Sequence, residues 1–188
     1  MLSKERHQTA TGPADWFRLP KNVEAQNFPL EVMIDVGSTC VTTIYQDFRP
    51  NVRKNVPELP PIADALTLFS DLFFILFDNI RQHSGIAPSP DVMIDVEDLG
   101  DHLRIRTTNL LSADKDLDQV REAIKTSRQR IASGRYQDAI PTEGGTGLIK
   151  LWRTISRNSK IENALDFGLD SEDRFFVEFA VSKREIRL

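Results

Sequence analysis

The sequence predicts an α+β two-layer sandwich, and three observations carry that reading. One long amphipathic helix occupies the middle of the chain. Two later segments read as β-hairpins. Each hairpin is followed or preceded by a separate helix, so strands pair with their immediate neighbours and are not linked by βαβ crossovers. The chain has 188 residues, 40% of them hydrophobic, enough for one domain with its own core.

The first third is irregular, since seven of the ten prolines fall between Pro13 and Pro61. Two strands are expected there, at residues 30–36 (LEVMIDV) and 41–48 (VTTIYQDF), both β-rich and roughly alternating. Residues 55–62 (NVPELPPI) read as an extended connector, because proline removes backbone donors and restricts its neighbour. Phe69, Leu72, Phe73, Leu76, Phe77 and Ile80 then follow the i, i+3, i+4 pattern of one broad helical face. Gly85, Pro88 and Pro90 stop this helix.

Residues 92–96 and 103–107 alternate around a turn at 99–101, the first hairpin. A second helix is expected over about 114–133, with acids early (Asp114, Asp116, Asp118) and bases late (Arg128, Arg130), as the helix dipole favours. Its apolar stripe is thin (Leu117, Val120, Ile124, Ile131), which marks a peripheral helix beside an insertion. A third helix starts near Gly147, with Leu148, Leu151, Trp152 and Ile155 as its buried face. The last hairpin runs from about 162–167 to 175–181.

Composition narrows the function classes. A net charge of −4 argues against a nucleic-acid binder that works through bulk positive charge. Cys40 is the only cysteine, so no internal disulfide forms, which fits a reducing compartment. The first residues contain no apolar signal core, and the apolar stretch at 66–80 is interrupted by Ser70, Asp71, Asp78 and Asn79. A cytoplasmic protein with no membrane segment is expected.

Two segments carry chemistry. On the long helix (ILFDNIRQHSG), Asn79 and His83 share a stripe four residues apart, with Asp78 and Gln82 beside them. A carboxamide oxygen is a hard neutral ligand suited to a Mg²⁺ already partly satisfied by phosphates. The bland alternative is a solvated helix face. In GGTGLIK, Gly144, Gly145 and Gly147 let the backbone approach a ligand, and the helix opening there offers free N–H groups. Thr146 adds a hydroxyl and Lys150 a charge one turn in. This is neither a G-x-G-x-x-G turn nor a P-loop, and a glycine cluster before a helix often binds nothing.

Taken together and in this order, the two segments resemble the asparagine box and the later glycine box (G-x-G-L) of the gyrase/Hsp90/histidine-kinase/MutL (GHKL) ATP-binding superfamily. The resemblance covers roughly residues 66–181. It implies a Bergerat-type two-layer sandwich, a mixed and mostly antiparallel sheet with helices on one face, and ATP with Mg²⁺ as cofactors. It divides the chain into an irregular arm (1–29) and a histidine-kinase-like ATP-binding domain (30–188) whose lid spans about 110–146. By the same resemblance Asn79 is the Mg²⁺-linked asparagine, Asp78 the acid before it, and His83 the box's basic or His position. Gly144, Gly145, Thr146, Gly147 and Leu148 form the phosphate-side glycine box.

The sequence departs from the family in three places. The Asp-x-Gly-x-Gly box is replaced by Asn109-Leu-Leu-Ser-Ala, similar to peptide-sensing, quorum-type histidine kinases, and Asn109 stands where an Asp reads the adenine amino group. The Glu found four residues before the asparagine in many members is Ile75, which cannot transfer a proton. No long helix carries a phospho-acceptor histidine; His7 and His102 read as surface residues.

Partners implied are an adenine nucleotide and a protein, with a homodimer also open. Function is then a nucleotide-gated switch or phosphoryl transfer in trans, as in anti-sigma-factor kinases, or a slow ATPase. The alternative is a degenerate nucleotide site serving as a non-enzymatic interaction module, docking through Trp16 and Phe17 or the lid helix.

Overall fold

The computed structural model describes residues 27–63, 65–134, 147–158, 164–186 and 188. The longest apolar pattern organises it. Helix α2 (Leu66–His83) buries Phe69, Leu72, Phe73, Leu76, Phe77 and Ile80 along one face, as their spacing predicts. It closes where the Ser84 amide bonds the Ile80 carbonyl, and Gly85 then turns at φ 74°, a conformation that costs glycine no Cβ clash.

The first element corrects the sequence reading. Segments 30–36 and 41–48 are not strands: helix α1 (Leu30–Ile44) takes the first and half of the second, and a turn takes the rest. Its buried residues are Leu30, Met33, Ile34, Gly37 and Val41, a helical period hidden inside a sequence that also alternates. The reason is tertiary. A Cβ on Gly37 would lie 2.5 Å from the Phe73 Cβ, so glycine lets α1 and α2 pack backbone against backbone. Arg49 then closes the C-terminal end of α1, donating to the Phe48 and Thr42 carbonyls at 2.8 and 3.0 Å.

The strands are β2 (Asn51–Asn55), β4 (Asp91–Asp98), β5 (His102–Asn109), β6 (Leu165–Leu169) and β7 (Phe175–Ser182). They form one sheet in the order β2-β4-β5-β7-β6, with β2 parallel to β4 and every other pairing antiparallel. Two-residue strands β1 (Asn27–Phe28) and β3 (Ile62–Ala63) pair separately. Both expected hairpins are present. Strand β2 was not expected: it is an edge of mostly exposed residues, without the alternation that a half-buried strand shows.

Period-two alternation divides the sheet into faces. Val92, Ile94, Val96, Leu103, Ile105, Val177, Phe179 and Val181 are buried and join the helical residues in one core. The opposite face is polar, with Glu97 on Arg104 at 2.9 Å and Glu178 on Arg106 at 3.1 Å. The helical layer is completed by α3 (Leu117–Ala132) and α4 (Gly147–Asn158). Asp116 caps α3, accepting from the Asp118 and Gln119 amides. Helix α4 buries Ile149, Leu151 and Ile155. Trp152, expected in the core, is instead half-buried in a groove with Ile131 and Phe167. No helix among the described residues is long and apolar enough to cross a membrane.

Candidate functional site

Asn79 is the one polar residue on the buried face of α2, 8% exposed. Its carboxamide has no hydrogen-bond partner among the described residues. It faces the first residue of α4: a Cβ on Gly147 would stand 2.8 Å from Asn79 Oδ1 and 3.4 Å from its Cγ. The two segments singled out in the sequence therefore meet, and glycine is what leaves the carboxamide room.

Asn109 ends β5 on the inward side, in the file of Leu103, Ile105 and Thr107, and is 4% exposed. Its Nδ2 donates to the Leu110 carbonyl at 2.7 Å. A carbonyl only accepts, so the amide nitrogen must face it and Oδ1 is the atom left to accept elsewhere. The hydroxyl of Thr107, two residues back, is buried with no partner among the described residues.

The chain after β5 folds back onto the end of α2. The Ser112 amide donates to the Ser84 carbonyl at 2.8 Å. Lys115 is drawn close: a Cβ on Gly85 would meet its Cε at 2.9 Å. Helix α3 then runs across the opening.

These elements enclose a cavity of about 170 Å³. From α2 it is lined by Asn79, Ile80 and His83; from β5 and its loop by Asn109, Leu111 and Lys115. Helix α3 contributes Val120, Ala123, Ile124 and Ser127, and the far side is Leu148 and Phe175. Pockets for whole drug-sized ligands run to ~300–1,000 Å³, so this one fits a single ring system whose polar remainder reaches outward. The described walls are mainly apolar and include no carboxylate. The titratable groups are Lys115 and His83. Partial burial lowers the His83 pKa first, then the nearby Lys115 charge, partly offset by Asp78. Because the His83 ring also remains open to solvent at the cavity mouth, the energetic weight of that shift is small.

Of the expected residues, the structure brings together Asn79, His83, Asn109, Gly147 and Leu148. Asp78 does not line the cavity: its carboxylate holds Arg81 at 2.8 Å and Gln82 at 2.7 Å, and Arg81 stacks on Tyr45 at 3.6 Å. Ile75 packs half-buried against the core. Gly144, Gly145 and Thr146 lie outside the described residues, as does the arm with Trp16 and Phe17. Lys115, Phe175 and the α3 face were not anticipated. Lys115 sits among acids in ADKDLD, and only its folding back against Gly85 makes it a wall residue.

A family model described as "y4jQ C-terminal putative histidine kinase domain" matches residues 29–182. The chain is 26% identical over 168 residues to uncharacterized protein y4jQ of Sinorhizobium fredii (strain NBRC 101917 / NGR234), across 88% of this chain and 16% of that protein. It thus spans about a sixth of that relative's length. Among solved structures it resembles the histidine kinase AdeS of Acinetobacter baumannii, with a TM-score of 0.52 and 10% identity, over 86% of this chain and 68% of that one. The catalytic domain of histidine kinase ThkA matches with a TM-score of 0.52 and 14% identity, over 86% of this chain and 99% of that one. ThkA has also been solved in complex with a response regulator protein, TrrA. At these identities the likeness to solved structures is one of fold.

Proposed function

The chain belongs to the family described as "y4jQ C-terminal putative histidine kinase domain", and from that premise we propose that it binds an adenine nucleotide with Mg²⁺ in the cavity between α2, β5 and α3. The observation that carries this reading is the contact of Asn79 with Gly147, which joins two distant sequence boxes around one buried asparagine with no hydrogen-bond partner among the described residues.

The residues present suit both parts of such a ligand. The base would enter the apolar cavity, where Asn109 Oδ1 can accept from an exocyclic amine. Phosphates would lie toward Asn79, the start of α4 and Gly144, Gly145 and Thr146. No group of three His, Cys, Asp or Glu that could cage a metal occurs among the described residues. A Mg²⁺ that keeps its waters and its phosphate oxygens needs few protein ligands, so the single neutral oxygen of Asn79 fits it. Bound there, the ion would neutralise phosphate charge.

The walls favour binding and transfer over hydrolysis. Among the described residues no carboxylate lines the cavity to activate water, and Ile75 packs half-buried against the core. The reading is therefore a nucleotide-gated switch, or phosphoryl transfer to a partner protein or to another part of a longer chain. ThkA's complex with a response regulator supports a protein partner of that kind.

Thermal unfolding with Mg-ATP and Mg-ADP tests the proposal. Ligand at ~100-fold over Kd should add about 2.7 kcal/mol of stability, and Asn79→Ala should abolish the gain while leaving the unliganded melt near that of the parent. An equal gain in both proteins would remove Asn79 from the site. No shift with any adenine nucleotide at millimolar concentration would replace this reading with the interaction module. Radiolabel transfer to candidate proteins then separates kinase from switch.

A further inference from the structure

Helix α3 supplies one whole wall of the cavity, yet none of its residues is buried. Its apolar contribution to the core is the half-buried pair Ile124 and Ile131. What fastens it on the other side is two arginines, through ion pairs and, at Arg128, hydrogen bonds to a backbone carbonyl. Arg128 Nη2 lies 2.7 Å from Asp166 Oδ1, and Arg128 Nε donates to the Phe167 carbonyl at 3.2 Å. Two turns earlier, on the same face, Arg121 Nη2 lies 2.8 Å from Asp173 Oδ1. Both acids belong to the β6–β7 hairpin.

Two otherwise unfavourable features of that hairpin fall at these contacts. Gly168 interrupts strand β6, where glycine weakens pairing and often marks the close approach of another group. A Cβ there would stand 3.4 Å from Arg128 Nη2, in ordinary contact, and 3.3 Å from the Phe176 ring, so the guanidinium lies directly over this glycine. Asp173 is the one non-glycine residue with positive φ, 57°, among the described residues. That conformation is uncommon for side-chain-bearing residues, and at Asp173 it accompanies the contact with Arg121.

We infer that Arg121 and Arg128 are positioning residues that latch α3 to the β6–β7 hairpin, so that release of two exposed ion pairs opens the cavity wall. The pairs are built to release. Their side chains are 51–57% exposed, where salt screens charge and each pair contributes little. Arg121 also touches Asp118 at 3.1 Å, so parting from Asp173 leaves its charge paired. That the latch governs access to a nucleotide rests on the proposed function; that it holds α3 does not.

Backbone hydrogen exchange on the full chain without nucleotide tests the latch. With two weak pairs lost in an Arg121→Gln/Arg128→Met protein, amides of α3 should exchange roughly three- to tenfold faster, with those of α2, β4 and β5 unchanged. Asp173→Asn, which keeps a residue tolerant of positive φ, should give a smaller change of the same kind. Should the double variant not fold, raising NaCl from about 0.05 to about 1 M on the unmutated chain should speed α3 selectively. Exchange of α3 that ignores salt and all substitutions, or that rises only in step with α2 and the sheet, overturns the latch. In stopped flow, an N-methylanthraniloyl-ATP complex should dissociate roughly threefold faster from Arg121→Gln, and an unchanged rate overturns the gating role. If that probe does not bind the unmutated chain at all, the nucleotide reading and its gating fail, while the exchange data still decide whether α3 is latched.

Discussion

Gly147→Ala places a single methyl group between α4 and α2. On the existing backbone that carbon lies 2.8 Å from Asn79 Oδ1 and 3.4 Å from Cγ, whereas carbon and carbonyl oxygen in close contact settle at about 3.3–3.6 Å. The overlap is roughly half an ångström by that measure, and it falls on the end of a side chain. The carboxamide therefore turns away, and the helices need not move. Gly147 has no positive φ, so alanine suits the backbone and gains up to about 1 kcal/mol of helix propensity. A displaced Asn79 rotamer costs about 0.5–1.5 kcal/mol. The two offset, and unliganded stability should stay within about 1 kcal/mol of the parent. Binding should not. Losing a polar contact to a charged ligand costs about 1.5–3 kcal/mol, or roughly 10- to 150-fold in Kd. Urea unfolding paired with calorimetric titration of Mg-ATP measures both quantities. A folded Gly147→Ala protein that binds Mg-ATP as tightly as the parent would refute the placing of phosphate and metal at the Asn79–Gly147 contact.

Three further substitutions probe other parts of the chain. Gly37→Ala sets a Cβ 2.5 Å from Phe73 Cβ and 3.0 Å from the Phe74 amide nitrogen, neither a flexible end, so overpacking should cost about 1–3 kcal/mol; an unchanged urea midpoint would show that the α1–α2 crossing is looser than described. Asn109→Asp removes the amide that donates to the Leu110 carbonyl and should cost about 1–3 kcal/mol at neutral pH, less in acid where the carboxyl is protonated. Equal stability at both pH values would contradict the locked amide. The His83 pKa is lowered in the fold, so its contribution is complete above the unfolded value of about 6.5 and is lost as pH falls toward the folded value. Melting temperatures taken through that window should fall less steeply in His83→Gln, by a small margin because the ring is partly exposed; identical slopes would remove His83 from the pH response.

What the sequence revealed, and what it concealed, follows from the range of each interaction. Helix α2 was legible because its six large apolar residues repeat at one period and nothing competes with that reading. The hairpins were legible because each pairs neighbours across a short turn. Helix α1 was misread because LEVMIDV satisfies two periods at once. The choice between them is made by Gly37 meeting Phe73, a contact that only the folded chain contains. Strand β2 was missed for a related reason. Its residues NVRKN are mostly exposed, and they form a strand because β4 offers a parallel edge forty positions later.

The site divides along the same line. Asn79, His83 and the glycine before Leu148 stand on helices whose local sequence announces them, and family resemblance supplies their roles. Lys115 and the inner face of α3 reach the cavity only through the fold-back at Ser84–Ser112 and the ion pairs to the β6–β7 hairpin, and Phe175 only because β7 pairs it with Asn109. The cavity thus has one rigid half, built on α2, α4 and the sheet with fully buried residues behind it, and one half held by exposed charges. The proposed ligand chemistry belongs to the rigid half, since carboxamides keep their aim only where packing fixes them. The proposed control of access belongs to the other. On the proposed reading nucleotide occupancy would act as a change of shape, because the wall it would press on, α3, buries no residue and is held by exposed charges.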